Sequence, residues 1–201
     1  ELDNMSTYGH LATGIGEVVA DARILYLVDS TLVCKGHIAS DSLDMETLMG
    51  GEQELGTVSF NLDFDGKLPL RGEPDLYLNG NIPTLQYSGY EYQNIRLDGW
   101  LKKNSFDGQL ALEDPNVKLM ADGHVSVSGG IPTFDMTARV DHFRPYDLQL
   151  TKDREGYEYA SVIRAHFQGN ALSNVTGVLS VDSLMATLPL DTFFMPELTF
   201  A

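Results

Sequence analysis

Cysteine is almost missing from this chain of 201 residues, which carries a single one, Cys34. One thiol allows no disulfide within the chain, so cysteine usage does not indicate the compartment. Bases are also scarce, since 13 lysines and arginines stand against 29 aspartates and glutamates, for a formal net charge of −16. So acidic a chain repels phosphate backbones and anionic membrane surfaces. Composition therefore argues against nucleic acid as a partner.

Long apolar runs are missing too. None approaches the roughly 20 residues that a membrane-spanning helix needs. The chain opens on Glu1 rather than methionine and shows no signal-peptide pattern, so we expect a segment of a longer or processed protein.

Recognisable catalytic and ligand-binding motifs are absent as well. The chain has no GxSxG elbow, phosphate-binding loop or dinucleotide fingerprint. Its histidines show no ligand spacing, which is typical of polar-face or turn residues. The stretch 61–66 resembles the start of a calcium loop, but the twelfth position is Gly72 rather than glutamate. We therefore expect a protein that is not an enzyme and that holds no metal or cofactor.

Alternating apolar and polar residues fill the centre of the chain, from Tyr90 to Gly123. Three such runs are separated by turn-forming residues at 103–105 and 113–116, where Pro115 fixes φ and lacks a donor. A period of two is typical of a strand with one buried face. The stretch predicts an antiparallel meander with one apolar face.

The same pattern continues on both sides of this centre. About a dozen short strands at a spacing of roughly 8–12 residues indicate an all-β sandwich, barrel or open solenoid. One short helix is predicted over Ser42–Met49, with capping residues at 40–42 and glycines at 50–51 closing it. The last residues, from Leu188 on, read as a strand whose partner lies beyond this chain.

We divide the chain into N-terminal strands at 1–40, the helix and its turn at 41–51, and a continuous β-meander at 52–201. All three parts are expected to form a single domain excised from a longer protein.

Several short motifs follow one another in a recognisable order. They are Tyr90 with Tyr92, the IxLxG strand Ile95–Gly99, the FxGxL strand Phe106–Leu110, the DPNxxLxxxG segment Asp114–Gly123, and the later element Leu172–Leu184. This order resembles the TamB-like (translocation and assembly module) proteins of the AsmA superfamily, in their Bacteroidetes form. The resemblance covers about three quarters of the chain and would make it an internal or C-terminal segment.

The resemblance implies an elongated, curled antiparallel β-sheet, a half-open groove (a β-taco) with an apolar interior. It also implies a place in the periplasm or cell envelope, in a protein anchored in the inner membrane. Family members act in phospholipid transport between the inner and outer membranes, and in outer-membrane protein assembly with a barrel partner. The implied ligands are lipid acyl chains or unfolded outer-membrane protein strands, and cut sheet edges would favour edge-to-edge self-association.

The candidate lipid-binding residues are those of the alternating apolar faces. They are Val58, Phe60, Leu62, Phe64, Ile95, Leu97, Leu101, Phe106, Leu110, Leu112, Val117, Leu119, Phe134, Met136, Val140, Ile163, Phe167, Leu179 and Val181. For any one of them, an ordinary dry core is the alternative reading.

A binding module is the main alternative function. A β-sandwich of a surface protein, taking a carbohydrate or protein ligand, would have a closed dry core. It would also group exposed aromatic residues such as Trp100, Tyr90 and Tyr92 at one edge.

Overall fold

A computed structural model provides the structure of this chain and describes residues 5–28, 30–50, 54–128, 130–169 and 175–200. These ranges contain twelve β-strands and one short α-helix. In chain order the elements are β1 (Met5–Thr13), β2 (Gly16–Val28), β3 (Thr31–Asp44), α1 (Met45–Met49), β4 (Leu55–Pro69), β5 (Asp75–Tyr87), β6 (Tyr90–Lys102), β7 (Ser105–Asp114), β8 (Val117–Ser128), β9 (Ile131–Phe143), β10 (Glu158–Gln168), β11 (Thr176–Leu188) and β12 (Asp191–Phe200).

The chain divides into two compact units, Glu1–Lys103 and Asn104–Ala201. The first unit holds β1 to β6 with α1, and the second holds β7 to β12. Within each unit, strands that follow one another in sequence pair antiparallel. The prediction of an all-β antiparallel meander with one short helix is therefore confirmed. The alternating pattern shows no change that would mark the division at 103–104.

The strands of the central stretch form where its sequence predicts. Strands β6, β7 and β8 occupy the three alternating runs, and β7 pairs antiparallel with β8 within the second unit. At the turn between these two strands the buried Asp114 carboxylate accepts a hydrogen bond from the Asn116 amide at 2.8 Å. The side chain thus pairs with a backbone donor of the two-residue connection.

The curl expected of a half-open groove is not found within either unit. Among the described residues, each strand packs appreciably only against its sequence neighbours, and α1 packs against β4. Closing a sheet would bring non-neighbouring strands into contact. The strands contain local register shifts, such as that between Ser40 and Leu43, but these shifts do not produce such contacts. Each sheet is therefore open, and an apolar face takes the place of the expected apolar interior.

The helix is shorter than predicted and begins later. Strand β3 continues to Asp44 because the Ser40 hydroxyl donates to the Glu17 carbonyl at 2.6 Å and so supports the sheet rather than a cap. Asp44 is the N-cap instead, and its carboxylate accepts from the Thr47 amide at 2.9 Å. Gly50, in the left-handed conformation with φ 91°, ends the helix as the glycine pair predicted, although residue 51 lies outside the described ranges.

The two terminal strands pair within the chain. At the N-terminus, where strands are predicted, β1 forms and its residues are all exposed. The final strand, β12, has a partner within the chain, since it pairs along its length with β11. The prediction of a partner beyond the chain is wrong for that side of the strand. The sequence also predicts a turn at 170–174, which lies outside the described residues.

Candidate functional site

The predicted groove residues of the first unit share one sheet face. Residues directly opposite one another in an antiparallel pair project to the same side. One such row runs through Ile38, Leu62, Gly80 and Leu97, across β3 to β6. With strict alternation along β4 and β6, this face carries Val58, Phe60, Leu62, Phe64, Ile95, Leu97 and Leu101.

The second unit repeats the arrangement. A row through Leu110, Ala121, Ala138, Ile163 and Val181 crosses β7 to β11. The same face carries the other predicted residues of this unit, which are Phe106, Leu112, Val117, Leu119, Phe134, Met136, Val140, Phe167 and Leu179.

The apolar face of the first unit is wider than the sequence analysis proposed. Ile24 on β2, Leu76, Leu78 and Ile82 on β5 join it by register. These residues alternate as regularly as the chosen ones, so the period of two could have identified them.

Most of this apolar surface is only partly buried. Ile95 at 5% and Val117 at 2% relative exposure are exceptions, whereas Phe60, Leu62 and Phe64 keep intermediate exposure. In a single sheet layer, each side chain of a face is covered only by its neighbours on the same face. The face can therefore receive further apolar groups, at about 25 cal/mol per Å² of apolar surface removed from water.

Glycines let large side chains lie close to the sheet on this face. A Cβ built on Gly36 would sit 2.9 Å from the Phe64 ring, so that ring covers the glycine on the neighbouring strand. In the second unit the Phe134 and Phe167 rings stack with centroids 4.8 Å apart and planes 31° apart. In these contacts the rings pack against neighbouring residues of the same sheet face, and no second layer from the described residues of their own unit covers them.

The opposite faces are polar and carry paired histidines. Each pair joins a histidine to an aspartate on a neighbouring strand, and the side chains are well exposed. Exposed pairs of this kind contribute little to stability. The pairs are His37–Asp63 at 2.8 Å, His124–Asp107 at 3.4 Å and His166–Asp135 at 3.6 Å.

Residues 61–66, which resemble a calcium loop, lie within β4.

No protein-family model, curated protein or solved structure matches this chain. Within the described ranges, no group of three or more His, Cys, Asp or Glu side chains is arranged to hold a metal ion. In the same ranges, no helix is both long and apolar enough to pass through a bilayer.

Cys34 is buried on the apolar face, at 5% relative exposure. Burial, and secondarily the charge of Asp65, raises the pKa of its thiol. Because the thiolate is the reactive form, these surroundings suppress nucleophilic chemistry at this position.

The aromatic residues proposed for a binding edge are not grouped as the alternative function expected. Tyr90 and Tyr92 contact each other at 4.9 Å between centroids, whereas Trp100 pairs with Tyr77 at 5.5 Å. Trp100 lies eight residues after Tyr92 on β6, which is about 27 Å of strand. The closed dry core of a sandwich is likewise not found within either unit, whose sheets are open.

Proposed function

We propose that this chain is a non-enzymatic segment of an envelope-spanning protein of the TamB/AsmA kind, and that it carries phospholipid acyl chains between the inner and outer membranes. The observation that supports the proposal is one continuous apolar face in each unit, in register across neighbouring strands and only partly buried. The proposed location is the periplasm, in a protein anchored in the inner membrane.

The physical chemistry of the two faces fits this role. An acyl chain laid on the apolar face gains about 0.8 kcal/mol for each methylene that leaves water. The binding is non-directional, so a chain can slide along the strip without breaking specific bonds. The polar faces carry much of the acidic surplus and keep the chain soluble while its apolar faces remain available.

Unfolded outer-membrane protein strands are the second cargo in this proposal, with a barrel partner completing the assembly. Such strands alternate apolar and polar residues and could lay their apolar side on the same face. The partial exposure of the face supports both cargoes, so the experiment has to identify what is bound.

Native mass spectrometry of the purified chain, followed by extraction and identification of released molecules, tests the proposal. Leu97→Asp places a charge on the apolar face, whereas Asn81→Asp adds the same charge to the exposed polar face of the adjacent strand. We expect phospholipid on the wild-type chain and on Asn81→Asp, and its loss from Leu97→Asp with the β-sheet circular dichroism preserved. A wild-type chain that takes up no added phospholipid would contradict the lipid role, and a bound peptide in its place would support protein cargo.

A further inference from the structure

The polar face of the first unit carries an ordered array that the lipid proposal does not use. Two neighbouring rows of side chains cross β2 to β6, and we call these ten residues the polar grid. One row is Asp21, His37, Asp63, Asn79 and Asp98, and the other is Arg23, Lys35, Asp65, Tyr77 and Trp100.

Eight of the ten grid residues, on β2 to β5, line an open depression of about 590 Å³, which is within the range of ligand sites in proteins. The other two, Asp98 and Trp100, follow on the neighbouring strand β6 by register. The walls of the depression include both hydrogen-bond donors, on Lys35 and Asn79, and acceptors, on Asp21, Asp63 and Asp65. The lining carries charges of both signs, with Arg23 and Lys35 beside three aspartates. This lining suits a neutral ligand with many hydroxyl groups, each of which donates and accepts.

One end of the polar grid is aromatic. Trp100 keeps 44% relative exposure on a face that is otherwise polar, and the Lys102 ammonium lies 5.0 Å from its ring centroid. The Tyr77 hydroxyl donates to Asp98 at 2.7 Å, and Asn79 donates to the other oxygen of the same carboxylate at 2.8 Å. The two aromatic rings are thus held in place beside fixed polar groups.

The second unit has comparable polar rows without aromatic residues beside them. Its Asp107, His124, Asp135 and His166 form a comparable row across β7 to β10, and neither this row nor the next, through Gln109, contains an aromatic residue. The exposed tryptophan therefore distinguishes the first unit and points to a ligand with a flat apolar surface.

We propose that the polar grid binds a short, extended, neutral oligosaccharide laid across β2 to β6, with one sugar ring stacked on Trp100. A pyranose ring combines a flat face of C–H groups with a rim of hydroxyls, so it matches a tryptophan bordered by carboxylates and amides. Four steps between strands span about 19 Å, which suits several linked sugars rather than one. The acidic groups of the grid disfavour phosphates and uronic acids.

This site lies on the face opposite the proposed acyl-chain surface, so it does not depend on the lipid role. Binding of a sugar with no binding of lipid, or the reverse, would separate the two proposals.

Trp100 is the only tryptophan of the chain, so its fluorescence reports on this site alone. The probes are cellotetraose, tetra-N-acetylchitotetraose and mannotetraose, which are neutral and extended, with tetragalacturonic acid as the charged comparison. We expect a saturable change in Trp100 fluorescence with at least one neutral probe, and a weaker response to the acid. Because Asp63 would accept hydrogen bonds from hydroxyls, Asp63→Ala is expected to weaken binding about tenfold.

Calorimetry on Trp100→Ala complements the fluorescence, with Met120→Ala, an exposed position on the polar face of the second unit, as the matched control. We expect Trp100→Ala to lose binding and Met120→Ala to retain it, both with unchanged circular dichroism. The proposal fails if none of the three neutral tetrasaccharides binds, or if Trp100→Ala binds as tightly as the wild type.

Discussion

Glycine at particular positions allows neighbouring strands to approach one another on the apolar faces. Gly123 on β8 has φ +149°, and a Cβ there would lie 2.3 Å from the Asp135 carbonyl oxygen on β9. No flexible side chain is involved, so the backbone itself would have to move. The spacing of strands at this point therefore depends on a missing side chain.

We predict that Gly123→Ala lowers the free energy of unfolding by more than about 1 kcal/mol, because the added methyl group meets backbone and the conformation is strained. Gly14→Ala is the matched control, since no atom lies within 4 Å of the Cβ position there. Urea denaturation followed by circular dichroism gives both values. Equal stability of the two variants would contradict this explanation.

The sequence reveals which residues share a face, because alternation with a period of two fixes their side. It placed Leu97 and Leu119 correctly on the apolar face without any knowledge of pairing. It does not reveal the positions where strands approach most closely, since Gly108 and Gly123 face each other only once the register is set.

At the scale of the element, α1 depends on the carboxylate of Asp44. Hydrogen bonds from the Thr47 amide and hydroxyl, at 2.9 and 2.7 Å, hold the pKa of Asp44 below its usual range. A carboxyl whose pKa is lowered by folding stabilises the fold above its unfolded-state value. That contribution is lost as the pH falls through the lower, folded-state value.

We predict that acid breaks the hydrogen bonds of this cap at pH values below the ordinary aspartate pKa of about 3.9. An acid titration followed through the Thr47 amide resonance by NMR should show the loss of its hydrogen bond. Asp44→Asn caps a helix without titrating, so its Thr47 resonance should stay constant over the same range. A wild-type resonance that also stays constant would refute the cap.

The connection between β9 and β10 is an element that periodicity could not predict. It contains Leu148, which at 1% exposure is the largest fully buried side chain among the described residues. Arg144 holds one end, since its guanidinium donates to Glu158 at 2.8 Å and its amide donates to the Asn116 carbonyl at 2.9 Å. Residues 144–157 form turns without a repeating pattern, so periodicity does not reveal this burial.

Leu148→Ala should cost about 2–5 kcal/mol of unfolding free energy, because it leaves a cavity at a fully buried position. Leu150→Ala, two residues further on and 50% exposed, should change stability by less than about 0.5 kcal/mol. Chemical denaturation of both variants gives the comparison. Similar losses in the two would mean that the connection is not packed as described.

At the scale of the whole molecule, the all-β meander could be predicted from the sequence, whereas the prediction of a curled sheet was wrong. Alternation shows that Phe60, Leu62 and Phe64 lie on one side, but it carries no information on what covers that side. The position of the helix cap was also missed, because the register shift between Ser40 and Leu43 depends on pairing with β4. Edge-to-edge association stays a prediction, and among the described residues β1 pairs on one side only.

The central claim is that acyl chains bind the apolar faces, and spin-labelled lipid tests it most directly. NMR spectra of methyl-labelled protein would be recorded with a phospholipid that carries a nitroxide on its acyl chain. We predict the strongest broadening at methyl groups of the apolar faces, such as Leu97, Leu119 and Ile163. The methyl groups of Met120 and Val162, on the polar face of the second unit, lie farther from the acyl chain and should broaden much less. Equal broadening on both faces, or none on either, would contradict the claim.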